Sequence, residues 1–336
     1  MTITVPVELL PNGPAVAAPT RRPGSVRRTS TIDSTWPDGM EANRTVIGRS
    51  RDLFTPLDGA EPIVLAEDVL IATVAPDRQI IAMETQPPRE GVQVLVGAQG
   101  GSNSRGRVVA AVPEEVKAGT PLYLLLDDLS GATLVGGVAF RFWESQEAQE
   151  ERMRQMKKLV GVRVMEGICA GFQPGSLALN ADGSNKGMGD TKPVPPINND
   201  EDPWAWHELT APVEPSHRRS RRIDLWLEDG LVHIETFFQD SYMTPDGHRE
   251  AVHEYVVSAT ANPVTGEVIS IGADPRVLPH YECPLATVAV SRMVGLPLRG
   301  FRDSVNEKLP GIDGCTHMND TLRSLAEVPV LIPHLM

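Results

Sequence analysis

Polar and apolar positions alternate most clearly in the last third of the chain. From Val252 to Ala261 the residues His253, Tyr255, Val257, Ala259 and Ala261 fall on one face of an extended segment, because successive strand side chains point to opposite sides. That parity turns His253 inward. The same pattern predicts strands over Arg221–Leu227 and Leu231–Phe238, on either side of the turn Glu228-Asp229-Gly230, and over Glu267–Ala273 beyond Asn262-Pro263-Val264-Thr265-Gly266. In the first third, strands are predicted over Val26–Thr35, Ile63–Val74 and Ile80–Thr85, with turns at Trp36-Pro37-Asp38-Gly39 and Ala75-Pro76-Asp77-Arg78.

Helical signals lie between and after these strands. Arg107–Lys117 is one candidate, and Leu122–Trp143 another despite Gly131, Gly136 and Gly137. Glu144–Leu159 carries Met153, Met156 and Leu159 on one stripe of an otherwise polar segment. Three further helices are predicted over Leu285–Val294, Leu298–Lys308 and Thr316–Ala326. Two stretches lack a pattern. Residues 1–24, with Pro6, Pro11, Pro14, Pro19 and Pro23, are expected to form a poorly ordered tail. Residues 173–215 fill with Pro, Asn, Asp and Gly but are interrupted by Trp204, Trp206 and His207, the mark of a connector that packs down in part and covers a pocket.

The two ends of the chain echo each other. Arg27-Arg28, Ile32-Asp33 and Asp38-Gly39 recur at one constant offset as Arg218-Arg219, Ile223-Asp224 and Asp229-Gly230, and Gly119-Thr120 falls opposite Gly314-Cys315. The expected fold is therefore α+β, with two related halves, each an antiparallel meander sheet followed by helices. Residues 25–143 form the N-terminal repeat without a site, 144–217 a helix and connector or lid, and 218–336 the C-terminal repeat with the site. No cysteine or histidine occurs before Cys169, so an internal duplication leaves the first copy as scaffolding.

Composition narrows the function. A formal net charge of -13 over 336 residues disfavours sequence-independent binding to nucleic acid, which needs a basic face, and equally disfavours anionic membrane surfaces. No apolar run reaches membrane-spanning length, and no basic leader precedes an apolar core at the N-terminus. Three cysteines far apart in sequence suit reduced thiols and a cytoplasmic protein. A small-molecule substrate is the expected partner, and homo-oligomer formation stays open.

The candidate chemistry gathers at three boundaries: His253-Glu254-Tyr255, Tyr281-Glu282-Cys283-Pro284, and Asp313-Gly314-Cys315-Thr316-His317-Met318-Asn319-Asp320. Thiolate and imidazole are the usual ligands of zinc or iron, so His253, Cys283, Cys315 and His317 are the candidate metal ligands. Asp320, one turn from His317, is the candidate general base, with His253 and Glu254 next. Singly, each has an ordinary role: the cysteines as small core residues, Cys169 as a buried structural thiol, His253 as a core histidine, Asp320 as a charge on the first helical turn. Together they point to a metal-dependent enzyme of lyase, decarboxylase or hydrolase type acting on a small, partly apolar molecule. A metal-free alternative makes Cys315 a nucleophile, activated by a helix N-terminus and by His317 or His253. His207 and His280 rank lower, as pocket-edge groups.

Two resemblances add to this reading. Arg27-Arg28-Thr29, Asp202-Pro203-Trp204-Ala205-Trp206-His207, His253-Glu254-Tyr255, Glu282-Cys283-Pro284 and the Gly314–Asp320 stretch make Val26–Leu331 resemble a bacterial family defined as a domain of unknown function, which implies no activity. His253–Glu327 is similar in layout to the iron-sulfur cluster assembly scaffold family: Tyr281-Glu282-Cys283 ahead of one helix, Cys315 heading a later one, and His253 near the family's first ligand position. It departs in lacking a Gly-rich cysteine loop before the strand and in placing His317 after Cys315. That layout implies, as the alternative function, a non-catalytic metal or iron-sulfur cluster carrier.

Overall fold

The computed structural model describes residues 3–101, 104–161, 163–187, 189–211 and 215–336, and the side chains of these apart from 156, 157, 159 and 160. The first meander is β1 (Ser25–Thr35), β2 (Arg44–Thr55), β3 (Ile63–Val74) and β4 (Ile80–Gln86). A short β5 (Lys192–Val194) precedes the second meander, β6 (Ser216–Glu228), β7 (Leu231–Met243), β8 (Arg249–Ala261) and β9 (Val268–Val277). All nine join one antiparallel sheet in the order β4-β3-β2-β1-β6-β7-β8-β5, with β9 also pairing β8. At the β6–β7 turn Asp229 and Gly230 both have positive φ (52° and 77°), the geometry of a two-residue hairpin that follows the twist of its strands.

The halves meet where β1 runs antiparallel to β6, with Ser30 directly opposite Arg221. These two positions are equivalent under the offset that relates Arg27-Arg28 to Arg218-Arg219, so the contacts across the join are reciprocal. Arg27 lies opposite Asp224 and donates to it at 2.5 Å; Arg218 lies opposite Asp33 and donates to it at 2.6 Å. Arg28 faces Ile223, and Arg219 faces Ile32. Residue pairs that exchange roles in this way are what a two-fold dimer interface presents, here within a single chain.

One face of the sheet is covered by helices. α1 (Ser104–Ala111), α2 (Pro113–Ala118) and α3 (Pro121–Val135) cover the first meander, burying Ile32, Val46, Leu70, Leu122, Leu125 and Leu129. After α4 (Phe140–Trp143) and α5 (Gln146–Val160), the second meander is covered by a 3-10 run at Cys283–Met293 and by α6 (Phe301–Lys308), α7 (Thr316–Arg323) and α8 (Val328–Leu331). Its core includes Phe238, Tyr255, Met293, Phe301, Met318 and Leu322. Full burial of a side chain such as Phe238 contributes about 1.5–3 kcal/mol. The helices of the two halves are tied by charge: Asp127 of α3 accepts from Arg302 of α6 and, at 3.1 Å, from Arg323 of α7.

Several expectations change. The helical run Pro121–Trp143 is long and apolar enough to cross a membrane, contrary to the sequence reading, but 83% of its apolar window is buried inside the fold, as in a core helix. β2, with its polar inward positions, was not predicted. The helix expected over Arg107–Lys117 is two, because Pro113 cannot donate and starts α2 instead. Met153 is 58% exposed, so the stripe expected on α5 does not bury it; Met156 and Leu159 lie outside the described side chains. The expected loose tail is bonded along the other face of the sheet. Ala15 N–H donates to Glu254 at 2.5 Å, Arg21 pairs with Asp202 at 2.8 Å, and Ala18 packs with Ile197, Ala205, Trp206 and Phe237.

Candidate metal centre

Three adjacent strands send alternate side chains toward the helices: His217 and Arg219 from β6, Phe238 and Asp240 from β7, His253 and Tyr255 from β8. Register sets Arg219 opposite Asp240, Asp240 opposite His253, and Phe238 opposite Tyr255. α7 lies over this row and delivers His317 from its first turn, with Cys315 as its N-cap residue. The His253 and His317 rings stack, centroids 3.3 Å apart and planes 16° apart. His253 Nδ1 lies 3.9 Å, and His317 Nε2 3.8 Å, from Asp240 Oδ2. Asp240, His253 and His317 thus offer one ligand atom each, all within 4.8 Å of one another.

Asp240 is fully buried and held rigidly. Arg219 donates to it through Nε and Nη2, both at 2.9 Å, and His217 Nε2 donates at 3.1 Å. Burial alone would raise its pKa, but the Arg219 charge and these hydrogen bonds hold it well below the usual carboxylate range. Burial, reinforced by His317, pushes His253 far below the ordinary imidazole value and keeps it neutral. Behind Asp240, the Arg219 guanidinium lies over the Phe238 ring at 4.9 Å.

All three cysteines converge beside this row, and all are free thiols. Gly171 permits the approach: a Cβ there would sit 2.6 Å from Cys283 Sγ and 3.9 Å from Cys169 Sγ. Burial and then the Cys315 charge raise Cys283 well above its ordinary value and push Cys169 up to about 11. Cys315 moves the other way. Burial opposes its ionisation, but His317 and the Tyr255 hydroxyl stabilise the thiolate and bring it below its ordinary value. Of the three, Cys315 ionises first.

Among the residues singled out from sequence, His253 and His317 come together, Cys315 adjoins His317, and Cys283 sits in the thiol group next to them. Glu254 does not face the centre. It is the strand neighbour of His253 and therefore lies on the opposite face, accepting from Ala15 N–H and from Gln239 at 2.8 Å. Asp320 is engaged by Arg105 at 2.6 Å and Arg219 at 3.3 Å, which braces the site rather than leaving a free base. His280 packs against Phe172 and lies close enough to His253 to help lower its pKa. The member that sequence reasoning missed is Asp240. The predicted β7 ended at Phe238, yet inward parity continues through Asp240 to Tyr242.

Residues 217–331 match a family described as protein of unknown function, DUF2889. The match runs from β6 to α8 and contains Arg219, Asp240, His253, Cys283, Cys315 and His317, while Cys169 and Arg105 lie outside it. No curated protein and no solved structure matches the chain.

The first half holds the same positions with other residues. Arg28 faces Asp52 and donates to it at 2.5 Å, as Arg219 does to Asp240. Opposite Asp52, where His253 would be, stands Ala66; opposite Ser50, where Tyr255 would be, stands Asp68. Thr120 is the N-cap of α3, the place Cys315 takes on α7, and Leu122 follows where His317 would stand. Asp68 bonds the Leu122 N–H at 3.0 Å. The arginine–aspartate pair is common to both halves, and the imidazoles and the thiol belong to one.

Proposed function

We propose that the chain is a metal-dependent enzyme whose zinc or iron is held by Asp240, His253 and His317, and which acts on a small, partly apolar molecule by lyase, decarboxylase or hydrolase chemistry. One observation carries this reading. Each imidazole nitrogen stands 3.8–3.9 Å from the same carboxylate oxygen, too far to hydrogen-bond. That spacing is close to the about 3.4 Å separating two donors that share a tetrahedral metal at about 2.1 Å. Two imidazoles and a carboxylate suit zinc with open positions or ferrous iron. The shifts of Asp240 and His253 keep both in their coordinating forms. A metal held there would supply a Lewis acid, and Cys315, next to His317, would offer a further donor. Free cysteines suit a cytoplasmic setting.

Elemental analysis of the purified chain tests this. Close to one zinc or iron per chain is expected, and His253→Ala/His317→Ala should lose it; stoichiometric metal retained by that double variant would sink the assignment. The convergence of Cys169, Cys283 and Cys315 supports a second reading, a metal or iron-sulfur cluster carrier. Metal loss on Cys283→Ser/Cys315→Ser but not on the histidine pair would favour it.

A further inference from the structure

On the other face of the sheet, directly behind Asp240, the connector stands off β6, β7 and β8 and encloses a cavity of about 800 Å³. Strand residues Arg218, Gln239, Ser241 and Arg249 border it, as do Trp206 and Thr210 of the connector, and much of the remaining lining is proline and aliphatic side chain. The polar groups in this lining are not balanced. Arg218 is matched, donating to Asp33 at 2.6 Å and to the Thr210 carbonyl at 2.7 Å. Arg249 is not. Its Nε donates to Ser241 Oγ and its Nη2 to the Ser241 carbonyl, both at 3.1 Å, and no carboxylate pairs with it among the described residues. The acids at the border are otherwise engaged: Asp202 by Arg21, and the exposed Asp200 by Asn198. Burial, and then the neighbouring Arg218 charge, outweigh the nearby Asp33 carboxylate and bring the Arg249 guanidinium down to about 9.

Two more groups in the same lining are unmatched. The Trp206 Nε1 and Thr210 Oγ1 atoms are buried and meet no partner among the described residues. An indole N–H can only donate, and that of Trp206, sealed within the cavity wall, lacks an acceptor among the described residues. A buried donor left without one costs about 1–3 kcal/mol, and an uncompensated charge costs more. Arg249 is therefore a cation without a paired carboxylate, set among mostly apolar walls, which is complementary to a ligand with an anionic head and an apolar body.

We propose that this cavity binds a small organic anion, with its carboxylate or phosphate head on Arg249 and its apolar body against the connector around Trp206. The site is separate from the metal centre, since the sheet lies between them, and it stands or falls independently of that assignment. Isothermal titration of the full-length chain with benzoate, phenyl phosphate and neutral benzamide tests it. At least one of the two anions should bind tenfold or more tightly than benzamide, and the preferred one identifies the head group. Arg249→Gln should remove that preference, and Arg249→Lys should restore part of it. Equal binding of all three probes, or binding of none, overturns the proposal on the unaltered chain without recourse to a variant; so does an anion preference that survives intact in a folded Arg249→Gln protein.

Discussion

Asp320 stands between two guanidiniums, and one of them, Arg219, grips Asp240 in turn. Its position near His317 suggested a base, but its neighbours give it a bracing role. Asp320→Asn should leave Arg219 and Arg105 under-compensated and cost about 3 kcal/mol, the usual scale for breaking a buried pair. Urea unfolding checks the loss, with metal content unchanged; a variant as stable as its parent but without turnover would return Asp320 to the chemistry. His207 offers a second test at this scale. Its ring nitrogens lie 2.8 Å from Thr29 Oγ1 and 2.9 Å from Thr31 Oγ1, and burial holds its pKa down to about 3. The unfolded chain takes up this proton near pH 6.5 and the folded chain only near 3. Stability from His207 is therefore full above about pH 6.5 and is lost as pH falls toward 3, by at most about 1.4 kcal/mol per pH unit. His217 and His253, also lowered by burial, slope the same way. Unfolding free energies at pH 7 and pH 5 should differ less in His207→Gln than in the parent; an equal difference would mean that His207 does not titrate as its burial requires.

Elements whose inward faces keep an apolar period were legible, β8 with its His253 included, and those whose inward faces turn polar were not. β8 reads plainly because Tyr255, Val257, Ala259 and Ala261 alternate. β2 was silent because its inward residues include Gly48, Ser50 and Asp52, which give no apolar period. Gly48 is small for a reason: a Cβ there would come 3.2 Å from Leu125 of α3, so the helix sits close on the strand. β7 was cut short at Phe238 because Gln239-Asp240-Ser241 is a polar run without apolar alternation, and only Arg219 opposite Asp240 accounts for its place in the strand. Partners remote in sequence decided these cases, so local pattern could not reveal them. α3 makes a second close approach at Gly131, where a Cβ would fall 2.0 Å from Arg219 Nη1. That guanidinium is pinned by Asp240 and cannot swing away. Gly131→Ala should therefore cost about 1–3 kcal/mol by overpacking, seen as a fall of several degrees in Tm together with weaker metal retention. An unchanged Tm would show that α3 can shift off the sheet.

Across the whole molecule the halves depend on each other. Arg221 of β6 reaches Asp128 of α3 at 2.7 Å, Arg28 of β1 reaches Glu327 at 3.4 Å, and Asp127 anchors α6 and α7. Residues 216–336 expressed alone should thus fail to form a stable monomer, while co-expression with residues 1–215 should restore a soluble assembly eluting with the full chain on size exclusion. A folded monomeric 216–336 would show that these ties are dispensable.

The reciprocal register of β1 and β6 bears on how such a molecule can change over time. In a dimer of identical subunits the residue on the axis meets its own copy, so every substitution there is made twice and must tolerate itself. Arg221 against Arg221 would set two buried guanidiniums face to face. Within a single chain that constraint is absent: Ser30 occupies one side of the axis, Arg221 the other, and the arginine reaches Asp128, a carboxylate of the first half. The same freedom from symmetry lets the second half carry His253, His317 and Cys315 where the first carries Ala66, Leu122 and Thr120, so that a change on one side need not be tolerated on the other.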